Sequence, residues 1–209
     1  MSAFTKIIKG AAVSLVVAVA VSCVFARRVV GTDMAWTLQP GDLVWVFPST
    51  IQRGDLVQLA DPFDPTRQVL RRAIAGEGQT VLMDNDGVRV DRKRLRQMEM
   101  GRTETHRVLK EVQWSKPPAR ANRWFVRRLL EPVRWEMDHK IEVPEGHWYL
   151  LADDRDGALD SRWWGPVPAS EITGVARLRV SIADFWRAPT VGEGASDWRE
   201  PLEVLLIEE

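Results

Sequence analysis

Cysteine is almost missing from this chain: Cys23 is the only one in 209 residues, so no internal disulfide can form. Three histidines, His106, His139 and His147, lie far apart, and with one cysteine they offer no zinc-ligand spacing. No metal site and no cofactor are expected. Net charge is missing as well, since 29 basic and 29 acidic side chains cancel to zero. The molecule as a whole therefore has no field that would draw it to nucleic acid. Hydrophobic residues make up 45% and charged residues 28% of the chain. That balance excludes a disordered tail, a collagen-like repeat and a polytopic transporter, and the length fits one medium domain with an appendage.

What is present begins with an apolar run. Gly10 to Ala26 carries no charge and is bracketed by Lys6 and Lys9 before it and by Arg27 and Arg28 after it. At a helical rise of ~1.5 Å per residue the run reaches roughly 25 Å, enough to span a bilayer once the flanking lysines snorkel. A helix also satisfies its own backbone hydrogen bonds, which hydrocarbon cannot do. Residues 1–28 are therefore expected to form an uncleaved N-terminal transmembrane anchor. Three other readings are less favoured. Val24-Phe25-Ala26 is a poor cleavage site, the residue three before Cys23 is weak for lipidation, and a buried core helix would not lack a polar face for so long. Positive charge on both flanks leaves the orientation open.

The rest reads as short strands. Leu43–Val46, Leu56–Leu59, Thr80–Met83, Val88–Val90, Trp148–Leu151 and Val175–Ile182 are β-branched or apolar runs separated by turn signals such as Pro40-Gly41-Asp42 and Arg53-Gly54-Asp55. The last run alternates with period two, the pattern of a strand with one wet face. A mostly β domain over residues 29–182 is expected, with an inserted cap at about 94–140 that breaks the rhythm. From Arg92 to Lys140 there are 14 basic and 6 acidic residues, a local charge of +8. Solvent-facing charge accounts for these arginines without a ligand. Residues 183–209 carry 2 basic and 7 acidic residues, or −5, and form an acidic C-terminal extension that could attract the basic middle.

Three stretches, in order, resemble the type I signal peptidase family, membrane endopeptidases that use a serine–lysine dyad. Thr32 to Val44 is similar to the family's S-M-x-P-T-L-x-x-G-D-x-V box. Val69 to Gly78 is similar to its K-R-v-I-G-x-P-G strand and turn. Ala152 to Val167 is similar to its G-D-N-R-x-x-S-x-D-S-R-x-x-G-x-V run, with agreement at Asp153, Arg155, Asp160, Ser161, Arg162, Gly165 and Val167. The resemblance implies a signal-peptidase-like β core with a cap. It also implies anchorage by one N-terminal helix and a soluble domain on the periplasmic or extracytoplasmic side.

The chemistry implied by that resemblance is missing. The nucleophile position, just before Met34, holds Asp33; the base position, just before Arg72, holds Arg71; and Ala158 stands where the family has a serine thought to orient the lysine. A hydroxyl needs a neighbour that takes its proton, and a guanidinium cannot accept one. Trp36 also replaces the proline of the first box. Asp33 and Arg71 are expected to face each other as a carboxylate–guanidinium pair, the other reading being that Asp33 drifted on an exposed loop. Asp153, Arg155, Asp160, Ser161 and Arg162 are expected to form a structural network. Neither Ser161, Ser49, Ser115 nor Ser170 has a matching base, and His147 sits at the start of a strand.

Two functions remain open on the sequence. One is an inactive, membrane-anchored homologue acting as a peptide-binding or accessory subunit, with a cleft flanked by Met34, Trp36 and Leu70. The other is an active endopeptidase with an unrecognised nucleophile and base. Membrane lipid is an expected partner, through Trp45, Trp163 and Trp164, because indole favours the headgroup zone. A protein or peptide partner is expected as well, and nucleic acid is not.

Overall fold

A computed structural model describes residues 24–84, 87–113, 122–131 and 140–181. The expected anchor up to Cys23, His139, Ser115 and the acidic extension lie outside the described residues. Among the described residues no helix is long and apolar enough to cross a membrane.

The chain is mostly β. Among the described residues fourteen strands form three sheets. The largest has seven strands in the order β1 (Ala26–Arg28), β2 (Leu43–Phe47), β14 (Ile172–Val180), β3 (Leu56–Asp61), β4 (Asp64–Gly76), β12 (His147–Leu151) and β13 (Val167–Pro168). β11 (Ile141–Glu142), β5 (Thr80–Asp84), β6 (Gly87–Val90) and β7 (Lys93–Arg94) make a second sheet. The third is the cap sheet, β10 (Asn122–Leu129), β9 (His106–Gln113) and β8 (Arg96–Arg102). All named strand pairs are antiparallel, so short turns suffice to join neighbours.

Every expected strand is present within a few residues. Alternation explains why: in β2 the buried Val44 and Val46 alternate with half-buried neighbours, as they must on a sheet with one face to the core. Trp124 to Leu129, inside the inserted segment, lies in β10. A short α-helix, α1 (Ser161–Trp164), is a single turn capped by the Asp160 carboxylate, which accepts from Arg162 N.

Three clusters fill the interior. The largest joins the second sheet to the cap and the central strands, through Val81, Val88, Leu109, Trp124, Val126 and Tyr149. The cap thus shares its core with the body of the domain and does not stand off as a lid. A second cluster lies under β3 and β14, and a third, with Met34, Leu38, Val44 and Ala152, lies under the loop that links β1 to β2. Continuous register places Arg71, Val57, Val175 and Phe47 in one row across four strands of the large sheet.

Candidate functional site

The β1–β2 loop folds back on itself so that Asp33 reaches β4. Val29 N donates to Asp42 O at 2.8 Å and Leu38 N to Met34 O at 2.8 Å. The carboxylate of the fully buried Asp42 takes Gln39 N at 2.8 Å and Arg179 Nε at 2.9 Å, closing the loop onto β14. Met34 and Leu38 plug the loop into the third cluster. Trp36 has a φ of +74°. Proline is locked near −65°, so this backbone cannot be formed by the proline found at the same place in the first sequence box. A non-glycine residue in this region carries ~1–2 kcal/mol of strain.

Asp33 and Arg71 meet. Arg71 Nη2 donates to Asp33 Oδ2 at 3.0 Å, and the side chains are 2% and 31% exposed respectively. Arg71 Nε donates to Leu159 O at 2.9 Å and Nη1 to Leu70 O at 2.6 Å. Its guanidinium carbon also lies 5.7 Å from the centre of the Trp164 ring. Each nitrogen of a buried cation is thus engaged, which offsets the cost of taking it from water. Asp33 is fixed from the other side, since its carbonyl accepts Asp154 N at 2.9 Å. Ala158, half-buried, packs against the third cluster and brings no polar atom to this place.

Arg72 points the other way and builds the floor. Its Nε and Nη2 clamp the fully buried Asp153 carboxylate at 2.8 and 2.5 Å, and Nη1 donates to Gly54 O at 2.7 Å. Thr37 Oγ donates to Asp153 Oδ2 at 2.5 Å and accepts from Arg72 Nη2 at 3.2 Å. Asp160 holds Arg162 through Nε at 2.7 Å and Nη2 at 2.8 Å, and takes Ala152 N at 2.9 Å. Arg162 Nη1 in turn donates to Arg155 O. The Ser161 hydroxyl is buried and accepts Leu150 N at 2.9 Å. Burial also pushes the phenol of Tyr149 upward, with the Asp160 charge adding to it.

The arginines of the inserted segment do not all face solvent, contrary to the expectation from charge alone. Arg127 pairs with Asp154, and Arg128, buried, lies with its Nε 3.6 Å from Asp156 Oδ2. Glu111 in the middle of the cap sheet is fully buried; it accepts Arg155 Nη2 at 2.6 Å, Trp124 Nε1 at 2.9 Å and Gln97 Nε2 at 2.8 Å. Apart from Arg155, these groups were not singled out from sequence. The signal was only the excess of arginine beside a loop rich in aspartate, Asp153, Asp154 and Asp156.

The other expected positions scatter. Met34 is buried in the core, whereas Trp36 and Leu70 are half-buried. Trp163 is exposed; Trp164 is half-buried and stacks at 6.0 Å against the exposed Phe63; Trp45 is half-buried in β2. His147 Nδ1 lies 2.7 Å from Glu145 O at the far end of β12 from Arg71, and His106 Nδ1 lies 2.7 Å from Thr105 Oγ. Neither imidazole approaches a serine of the site.

A family profile described as "Signal peptidase, peptidase S26" matches residues 4–181. The chain belongs to the signal peptidase S26 family. It is similar to signal peptidase I of Streptococcus pneumoniae, strain R6, at 28% identity over 178 residues, which cover 79% of this chain and 83% of the relative. It is similar also to a probable thylakoidal processing peptidase 2 of Arabidopsis thaliana, at 44% identity over 51 residues, 24% of this chain and 14% of the relative. A crystal structure of a signal peptidase I from Enterococcus faecalis aligns over 62% of this chain and 98% of that one, at 20% identity and a TM-score of 0.39.

Around the Asp33–Arg71 pair the reactive inventory is one carboxylate, one guanidinium and two backbone carbonyls. A guanidinium carries its proton throughout the accessible pH range and has no lone pair to accept another. The arrangement can hold charge and fix two loops. It contains no hydroxyl next to a base.

Proposed function

We propose that this protein is a membrane-anchored, catalytically inactive signal peptidase homologue that binds a peptide or protein segment as an accessory subunit. The observation that carries this reading is Arg71: a buried guanidinium spends its donors on Asp33, Leu159 and Leu70 at the place of the general base. Loss of a proton acceptor removes nucleophile activation but leaves the walls of a cleft standing. β4 pairs with β3 along residues 64–72 and with β12 only from Arg72 onward, so on its β12 side the strand offers a backbone edge before Arg72. An extended peptide can add to such an edge. Leu70 lies on it, although the Leu70 carbonyl is already taken by Arg71.

The anchor over residues 1–28, the domain over 29–182 and an extracytoplasmic location complete the proposal. Lipid contact is placed at the sheet end that bears Phe63, Leu159, Trp163 and Trp164.

The decisive experiment is cleavage of a fluorogenic signal peptide by the purified full chain in detergent. No turnover above buffer is expected, while the same labelled peptide shows saturable binding by anisotropy. Turnover that disappears in Asp33→Ala would overturn the proposal in favour of an active endopeptidase. The double change Asp33→Ser with Arg71→Lys is expected to stay far below a working peptidase, because Trp36 keeps the loop on a path that proline cannot follow.

A further inference from the structure

Strand register creates a conflict of charge at one end of the cap sheet. Arg107 on β9 lies directly opposite Arg102 on β8 and Arg128 on β10. Three guanidinium side chains therefore occupy one row on one face, and like charges placed directly opposite repel. Arg155 joins them from the loop after β12, where its backbone N donates to Arg127 O at 3.0 Å. Burial lowers the pKa of Arg128, and the charges of Arg155 and Arg107 add to that effect against the pull of Asp156.

The acidic groups nearby are already occupied. Glu111 divides its two oxygens among Arg155, Trp124 and Gln97. Asp156 accepts Leu129 N at 2.8 Å and stands 3.6 Å from Arg128. The exposed Arg102 pairs with Glu99. Among the described residues no carboxylate forms an ion pair with Arg107. Arg155 is 3% and Arg128 7% exposed. Even so, among the described residues Arg155 Nε and Nη1, Arg128 Nε and Arg107 Nε are buried with no hydrogen bond within 3.5 Å, Arg128 Nε standing 3.6 Å from Asp156.

Four buried nitrogen donors and an excess of cation over carboxylate set the chemistry of what would satisfy them. A water molecule accepts two hydrogen bonds and brings no charge. An oxyanion with several oxygens supplies acceptors and negative charge together, and guanidinium forks match its geometry. We propose that Arg107, Arg128 and Arg155 form a binding site for a phosphate-class oxyanion between the cap sheet and the loop after β12. Arg107, half-exposed, gives it access from solvent. The site is independent of the Asp33–Arg71 pair and stands whether or not the protein cleaves peptides.

The test is thermal unfolding of the full chain in detergent, titrated with sodium phosphate against sodium chloride of equal ionic strength. Phosphate is expected to raise Tm saturably, by about 5 °C or more at a hundredfold excess over Kd, and chloride is not. Arg107→Leu is expected to abolish the saturable rise while leaving Tm in chloride unchanged or higher, because repulsion is relieved. Arg102→Leu is expected to retain the rise. Absence of a saturable rise overturns the proposal, as does a rise that survives in Arg107→Leu and so marks an adventitious ion only. A lower Tm of Arg107→Leu in chloride also overturns it, since Arg107 would then be held by the protein itself. Glycerophosphoglycerol as a second titrant separates the sources: a shift with this diester assigns a lipid headgroup, and a shift with inorganic phosphate alone assigns the free ion.

Discussion

Two adjacent arginines on β4 make opposite use of the same chemistry. Arg71 pairs with a carboxylate that keeps contact with water, and Arg72 pairs with one that has none. Removing one partner of a buried pair is expensive when it strands the other, and cheap when the survivor can hydrate. Arg72→Met is therefore expected to cost about 3–5 kcal/mol, because Asp153 is left in the interior with only Thr37 to donate to it. Arg71→Met is expected to cost about 1–2 kcal/mol, since Asp33 turns to solvent and the new side chain fills an apolar place beside Trp164. Urea unfolding of both variants measures the contrast, and equal losses would show that Asp33 does not rehydrate. At this scale the sequence is informative about identity and silent about partners. The Asp33–Arg71 contact was legible from the boxes. That Arg72 clamps Asp153 across 81 residues, or that Arg71 consumes the Leu70 carbonyl, was not. A buried arginine and a surface arginine are the same letter until long-range pairing separates them.

Strands with a wet face declared themselves by alternation, and those without one did not. β4 runs for 13 residues, half-buried or exposed up to Gln68 and mostly buried beyond Val69, so no single period describes it. β8 is mostly polar, and its apolar Met98 is itself exposed, so it shows no buried face to read. Bulges hide equally well: β14 slips against β2 between Ala176 and Leu178 and against β3 between Ile172 and Gly174. The second irregularity depends on a missing side chain. A Cβ on Gly174 would stand 2.7 Å from Phe47 O and 2.9 Å from Val46 Cγ1, and backbone cannot yield as a flexible side chain does. Gly174→Ala is expected to destabilise by roughly 1–3 kcal/mol, with amide exchange in β2 and β14 rising together. The β6–β7 hairpin offers a test by pH. Asp91 accepts Thr80 N at 3.0 Å and Gln79 Nε2 at 2.7 Å, and these bonds, the backbone one first, hold its carboxyl below the usual range. A folded-state value depressed below the unfolded one contributes stability that is present above about pH 4 and lost as pH falls through the folded value. The stability gap between wild type and Asp91→Asn is expected to be constant near neutrality and to close in acid; a gap that widens in acid would contradict the assignment.

The large sheet orders the whole molecule along one direction. β1 runs from Ala26 beside Trp45 to Arg28 beside Leu43, so the chain arrives from residues 1–23 at the Phe47 end, where Phe25 and Phe47 rings lie 4.8 Å apart. Phe47 shares its row with Arg71, and the β3–β4 turn bearing Phe63 lies beyond that row. Leu159, bonded to Arg71, lies at the same end, with Trp164 beside both Arg71 and Phe63. Val24, Phe63, Leu159 and Trp163 are the exposed apolar side chains of that end, whereas Val180 is exposed at the opposite end beside Leu43. An apolar patch beside the emergence of a hydrophobic segment is cheapest to cover with the bilayer into which that segment inserts. On the proposed anchorage, the Asp33–Arg71 pair would then face the membrane. In a Cys23→Ser background, a polarity-sensitive dye on Phe63→Cys or Trp163→Cys is expected to shift to the blue when the full chain is reconstituted into vesicles. The same dye on Val180→Cys is expected to keep its aqueous emission. Equal emission at both ends would mean that the sheet lies flat on the bilayer or stands clear of it, and the proposed orientation would be abandoned.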